Sequence, residues 1–251
     1  MLLRRITQHV KDQNWIAVAL DLVIVVVGIL IAFQITNWNE ARIEKQREIV
    51  LLERLQFDFD RIVIWGERTM PRVNSAPEDT SWLIEKIRSD DKPELNGMFR
   101  TAAEASVFAV ASFEISPTYQ ELVSTGTLSR ISSPELRDAL ANYGRNRQAE
   151  KIVTEGLYAV QNRGVMREAI QFQTHSGDPA QTFQVSLDEI MVPISFDWEA
   201  LKKTEPHLHV ILQNQLYIRG WKQNTFRDAK QTLKLLNAEL GIVDDPLSEA
   251  L

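Results

Sequence analysis

The chain predicts an all-α protein in which an N-terminal transmembrane helix is continuous with a long helix of an extramembrane helical bundle. Three observations predict it. Between Trp15 and Trp38 the strongly polar interruptions are Asp21, Gln34 and the closing Thr36–Asn37. Beyond Trp38, apolar residues recur at helical spacing with neither glycine nor proline before Gly66. Over the remainder, strand signals are nearly absent, while Ser-Pro starts and Gly stops punctuate helical segments.

The first element is the span. At 1.5 Å per residue, residues 15–38 cover roughly 34 Å, against a hydrocarbon core of about 30 Å. Trp15 and Trp38 close it at both ends as membrane-interface anchors of an aromatic belt. A basic start before an apolar run also fits a cleaved signal peptide. This run is long, however, and "AFQITNWNEAR" offers no small-x-small cleavage site. The domain reading is therefore residues 1–14 as a short cytoplasmic tail, 15–38 as the transmembrane helix and 39–251 as a helical-bundle domain. Counting Lys and Arg alone barely orients it: Arg4, Arg5 and Lys11 precede the span, and Arg42, Lys45, Arg47 and Arg54 follow it. Glu40, Glu44, Glu48 and Glu53 neutralise the following segment, and long domains translocate largely regardless of charge. The N-terminus is expected in the cytoplasm and the body outside it.

Asp21 is the unusual residue of the span. A carboxylate at mid-bilayer costs on the order of 3 kcal/mol, and less near an interface. Asp21 lies about 9 Å below Trp15 by helical rise, so its cost is intermediate. At 100° per residue, Asn14, Ala17, Asp21, Gly28, Ala32 and Asn39 share an arc of roughly 60°. Gly28-x-x-x-Ala32 is a small-x-x-x-small pair that lets another helix backbone approach closely. One reading is an interface of Ala17, Asp21, Gly28 and Ala32, with Asp21 hydrogen-bonded to another transmembrane helix, from a second copy or a different protein. The other is a protonated or snorkelling acid on a span where Gly and Ala are common. A proton pathway is the poorest fit, since one acid on one span makes a poor relay.

The body follows as successive helices. Ile43, Val50/Leu51, Leu55, Ile62 and Trp65 carry the first helix on to about Met70, where Pro71 and "NSAP" break it. A second helix starts at "PEDTSWLIEKIRSDD", and a third covers "PELNGMFRTAAEASVFAVASF". Ser116-Pro117 and Ser133-Pro134 each read as an N-cap followed by proline at the first helical position, with Gly126 as the stop between them. A long helix is then expected from about Pro134 to Thr174. "HSGDPAQTFQVSLDEIMVPISFD" is loop-like, with room for a short helix or strand over Phe183–Pro193. The last long helix runs from about Pro206 to Leu240 and ends at Gly241.

Composition narrows the chemistry. The chain has no cysteine, which excludes disulfides, thiolate chemistry, iron–sulfur clusters and cysteine-ligated zinc. Residues 1–39 carry Arg4, Arg5 and Lys11 against Asp12 and Asp21, so the body holds −7 and the whole chain −6. An acidic body argues against nucleic acid, whose binding is driven by phosphate neutralisation. His207-x-His209 sits at i,i+2, which on a helix points the two imidazoles to different faces. His175-Ser176-Gly177-Asp178 has triad residue types but reads as a polar loop. Asp58/Asp60 and Asp90/Asp91 read as solvated surface, and Tyr119, Glu121, Ser124 and Thr125 as capping and packing. There is no Gly-rich phosphate loop, no H-E-x-x-H and no G-x-S-x-G, so neither enzyme activity nor a cofactor is expected.

The N-terminal "HVKDQNWIAVALDLVIVVVGILIAFQITNWNEAR", together with "SPTYQELVSTGTL" and "PELRDAL", resembles an uncharacterised family of bacterial single-pass membrane proteins, a domain of unknown function. The likeness covers the anchor, the following helix and the middle segment. It implies a helical protein of the bacterial envelope, and it assigns an activity to no residue. With the N-terminus expected in the cytoplasm, the span is then expected in the inner membrane and the body in the periplasm. The function expected is an accessory or scaffold subunit of an envelope complex, working by contact with the bilayer and another span. The alternative is a helical extracytoplasmic ligand sensor that signals through a partner; an enzyme of unrecognised type ranks last.

Overall fold

The computed structural model of the chain describes residues 15–107, 111–160, 163–174 and 191–242. Two compact units divide it, Met1–Leu51 and Leu52–Leu251. Helix α1 is a 74-residue element, Trp15–Arg88, and the expected break at Pro71 does not occur: Pro71 and Pro77 both lie inside it. A proline in a helix interior costs about 3 kcal/mol through a lost hydrogen bond and a clash with the preceding turn. Burial offsets that cost here. Met70, Val73 and Ala76 are buried beside the prolines, and Leu83, Ile84 and Ile87 carry the same face onward. The segment read as a second helix is thus the end of α1. Asp90, with φ 50°, stops it, while the Asp91 N–H caps the Lys86 carbonyl at 3.1 Å.

Helix α2 (Gly97–Val107) starts later than its sequence suggests, because the Asn96 side chain caps it, accepting from the Phe99 N–H at 3.1 Å. Residues 108–110 lie outside the described residues, and 111–116 are non-helical. Helix α3 (Pro117–Ser124) is capped as expected: the Ser116 hydroxyl accepts from the Tyr119 N–H at 3.0 Å. Gly126, at φ 68°, occupies the left-handed position just past its end, where a side chain would be strained. A single 3₁₀ turn, Leu128–Arg130, leads to helix α4 (Pro134–Val160), with the Leu136 N–H donating to Ser133 Oγ at 3.4 Å.

The helix expected to reach Thr174 ends sooner. Helix α5 (Arg163–Ala169) passes directly into strand β1 (Ile170–Thr174), which pairs antiparallel with β2 (Met191–Phe196). The physical reason is a change of period. "IQFQT" alternates apolar and polar residues, and it packs Ile170 into the core as a strand would. Pro193 is tolerated in a two-stranded ribbon, opposite Phe172 at the register shift. Residues 175–190 of the loop-like segment fall outside the described residues. Helix α6 (Trp198–Lys202) is capped by Asp197, and α7 (Glu205–Leu240) ends on Gly241 at φ 69°, as its sequence predicts.

Within Leu52–Leu251 the long helices pack antiparallel. Arg88–Glu205 at 2.7 Å, Glu78–Arg219 at 2.7 Å and Glu67–Lys230 at 3.1 Å step down α1 as they step up α7. Phe59 on α1 meets Tyr143 on α4 edge-on at 4.8 Å, in a core that includes Leu55, Leu136, Leu140 and Leu236. A second cluster joins the end of α1 to α2, α5 and the ribbon, with Phe99 and Phe196 centred 4.2 Å apart.

Gly144 on α4 lies under Tyr119 of α3: a Cβ there would stand 2.2 Å from Tyr119 Oη and 2.7 Å from Cζ. Tyr119 is buried, so an added methyl must displace a packed ring. Gly144→Ala is therefore expected to lower stability by about 1–3 kcal/mol despite alanine's better helix propensity. Urea unfolding checks it, and a stabilised variant would show that the ring moves freely.

Candidate functional site

In the Met1–Leu51 unit, α1 presents apolar side chains with nothing over them. From Leu20 to Trp38 the large hydrophobic residues are 46% to 68% exposed, Trp38 the most. The apolar window has a mean hydropathy of 1.9 and none of it is buried, so this helix is long and apolar enough to cross a membrane. Gly28 has open space where a Cβ would stand, and Ala32 is exposed. The Thr36 hydroxyl folds back onto the Ala32 carbonyl at 3.0 Å, which pairs a polar group within this apolar stretch. Trp15, Ala17 and Asp21 belong to the same helix, but their side chains lie outside the described residues.

In the Leu52–Leu251 unit, the polar groups singled out in sequence have structural partners. The Asp58 carboxylate accepts from Ser116 Oγ at 2.7 Å and from the Thr118 N–H at 3.0 Å, so it anchors the start of α3 and corrects the solvated-surface expectation. Asp90 accepts from Lys202 Nζ at 3.2 Å and from the Trp198 indole at 3.3 Å, joining α1 to α6. Those hydrogen bonds, the one from Lys202 foremost, hold its carboxyl below the usual range. His207 is exposed, whereas His209 Nε2 sits 2.8 Å from the Arg88 guanidinium. The hydrogen bond from Arg88 lowers the Glu205 carboxyl beside them. Thr125 and Ser124 return their hydroxyls to the Glu121 carbonyl, as capping residues do. Among the described residues, no three of His, Asp and Glu gather as a metal would need.

The strongest electrostatic feature is one that sequence reasoning missed. Lys222 on α7 and Glu150 on α4 form an ion pair at 2.7 Å, with side chains 1% and 0% exposed. The ammonium also donates to the Ala111 carbonyl at 2.7 Å, and it lies 5.4 Å from the Phe113 ring centre and 5.8 Å from that of Trp65. Glu150 accepts from Thr154 Oγ1 at 3.1 Å and from the Phe113 N–H at 3.3 Å. Burial pulls the Lys222 pKa below the usual lysine range, opposed by Glu150. Two further bonds fasten the same segment: Arg147 Nε donates to the Phe113 carbonyl at 2.9 Å, and the Tyr143 hydroxyl donates to the Glu114 carbonyl at 2.6 Å. Burial raises the Tyr143 phenol well above its ordinary value, so it remains a donor.

This arrangement fastens the non-helical stretch 111–114, of which Phe113 is the buried residue, to α1, α4 and α7, and the Lys222–Glu150 pair itself is closed to solvent. The Phe113 N–H and carbonyl are paired in the process, as buried backbone groups must be. A signal for it was available. Lys222 falls on the same seam of α7 as Leu208, Ile211, Ile218 and Ala229, and Glu150 continues the seam of Leu136, Leu140 and Tyr143. Opposite charges at core positions of two helices point to each other.

No curated protein and no solved structure matches the chain. The model of one family of unknown function, DUF6090, matches residues 21–167, from Asp21 in the apolar helix through most of α5, and includes Glu150. With more than half its length matched, this helical protein with its candidate membrane span belongs to the DUF6090 family of unknown function.

Proposed function

We propose that the protein is a non-enzymatic, single-pass membrane protein that works by protein–protein contact, as an accessory or scaffold subunit of a complex in the bacterial inner membrane. Its N-terminus lies in the cytoplasm and its helical body in the periplasm. The observation that carries this reading is the uncovered apolar surface of α1 before Trp38. Lipid covers most of that surface. A neighbouring span covers the arc of Ala17, Asp21, Gly28 and Ala32, where open space at Gly28 admits a helix backbone. Asp21 supplies the specificity, since a carboxylate in the bilayer is most stable when hydrogen-bonded to a partner.

The test uses tagged full-length protein, extracted gently from native membranes beside Asp21→Asn and Gly28→Leu. Both variants should stay in the membrane with the body's thermal unfolding unchanged, because neither residue belongs to the Leu52–Leu251 unit. Each is expected to retain about five- to tenfold less of the co-purifying partner, the effect of losing one interhelical contact worth about 1 kcal/mol. Unchanged recovery of the same partners in both variants would remove the basis of the proposal.

A further inference from the structure

Helix α1 has a second unpartnered face, outside the apolar window. Phe57 and Ile64 are 60% and 42% exposed, on the side opposite the buried Leu55, Phe59 and Ile62. They stand seven residues apart, and in sequence the same spacing reaches back to Val50 and Ile43. A strict seven-residue repeat drifts by about 20° per heptad on a straight helix, and it becomes a continuous seam when two helices coil left-handedly around each other. Core packing of this chain does not explain that repeat, because these positions point away from the core.

The flanks of the stripe carry opposite signs. At 100° per residue, Glu53 and Asp60 lie roughly 40–60° to one side of Phe57, while Arg54 and Arg61 lie roughly 40–60° to the other; Arg54 already pairs with Glu121 of α3 at 2.6 Å, so the exposed Arg61 carries that edge. Arg68 extends the basic row at the next heptad, while Glu67 turns to Lys230 of α7 at 3.1 Å. This pattern selects both a partner and a direction. When two copies meet parallel about a two-fold along their length, the acidic row of each faces the basic row of the other on both edges. In an antiparallel pair about the same stripe, acid faces acid and arginine faces arginine, which opposes association. The face is therefore self-complementary in the parallel sense alone.

We infer that the exposed stripe centred on Phe57 and Ile64 is the seam of a parallel homodimer, in which two copies of α1 pair beyond the membrane. The seam stands on the Leu52–Leu251 unit and its flanking charges, and does not need the Asp21 arc. It rests on the membrane-anchored reading in one respect: two copies held by the same span in one membrane present their stripes in the same direction.

The natural chain has no cysteine, so single cysteines report contacts without background. Full-length Phe57→Cys and Ile64→Cys, oxidised in native membranes, should each give a disulfide-linked dimer. Tyr217→Cys, exposed on α7, should not. A parallel seam joins each position to itself, whereas an antiparallel pair joins at most one of the two. In the Phe57→Cys background, Arg61→Glu with Arg68→Glu is expected to cut the cross-link about tenfold, as is Glu53→Arg with Asp60→Arg. Co-expression of the two charge variants should restore a mixed dimer, which loss of folding would not allow.

Several results would overturn the inference: membrane-bound protein without cross-links at 57 and 64, cross-links to a different protein alone, or cross-linking at Tyr217→Cys of equal strength. A soluble chain that still cross-links at 57 and 64 would keep the seam and remove the anchor.

Discussion

Lys222→Met is expected to lower the unfolding free energy of the body by about 3–5 kcal/mol, because it leaves Glu150 charged and buried without its cation. Glu150 is 0% exposed, so water cannot replace the ammonium without opening the core. The Ala111 carbonyl loses its donor in the same step. Adding Glu150→Gln to Lys222→Met should recover much of the loss. The glutamine oxygen can still accept from the Phe113 N–H, and the pair's desolvation penalty disappears with its charges. Guanidinium unfolding of parent, both singles and the double measures this as a cycle. A coupling above about 2 kcal/mol is the expected result. Additive singles would mean that the two groups do not share one closed site.

The second large effect is at Phe113. Its ring is fully buried between Trp65, centred 4.9 Å away, and Phe226, stacked at 6.0 Å. Phe113→Ala should cost about 3–5 kcal/mol, as the removal of a buried aromatic from a site that cannot collapse. Its main-chain bonds to Glu150 and Arg147 hold the backbone in place, so the cavity stays open. The loss should also be less than additive with Lys222→Met, since the ring lies over that ammonium and both changes admit water to one place. Thermal unfolding of the single and double variants checks both points. A loss below about 1 kcal/mol at Phe113 would mean that the surrounding helices close over the space.

What the chain announces in sequence depends on how local the cause is. The cap at Ser116, the stops at Gly126 and Gly241 and the extent of α7 follow from a few adjacent residues, and they were legible. The passage of α1 through Pro71 and Pro77 was not, because the local penalty is outweighed by burial of Met70, Val73 and Ala76 against elements distant in sequence. The first strand of the ribbon was missed for a related reason, although a strand was among the options for Phe183–Pro193, which overlaps the second. Five residues of alternating pattern at the end of a helical stretch carry little signal until Met191–Phe196 pairs with them.

Asp58 shows the limit from the other side. Its spacing from Asp60 says surface, and only the tertiary approach of Ser116 makes it an anchor for α3. Lys222 and Glu150 were within reach, since both fall on apolar seams, but a seam read for hydrophobic residues passes over a charged one. The candidate span was fully legible, as it depends on composition and length. What would meet it was not, because Asp21 and the small residues Ala17, Gly28 and Ala32 name no partner.

The central claim is that the protein works by holding another protein in the membrane. The most direct measurement is the mass of the native particle, taken after transfer of full-length protein from its own membrane into lipid nanodiscs without detergent exchange. A chain of 28.8 kDa that acts by contact should appear in a particle of defined larger mass, with at least one further polypeptide in fixed ratio, a second copy included. A particle holding one chain and lipid alone, in membranes where the protein is at its natural level, would contradict the account.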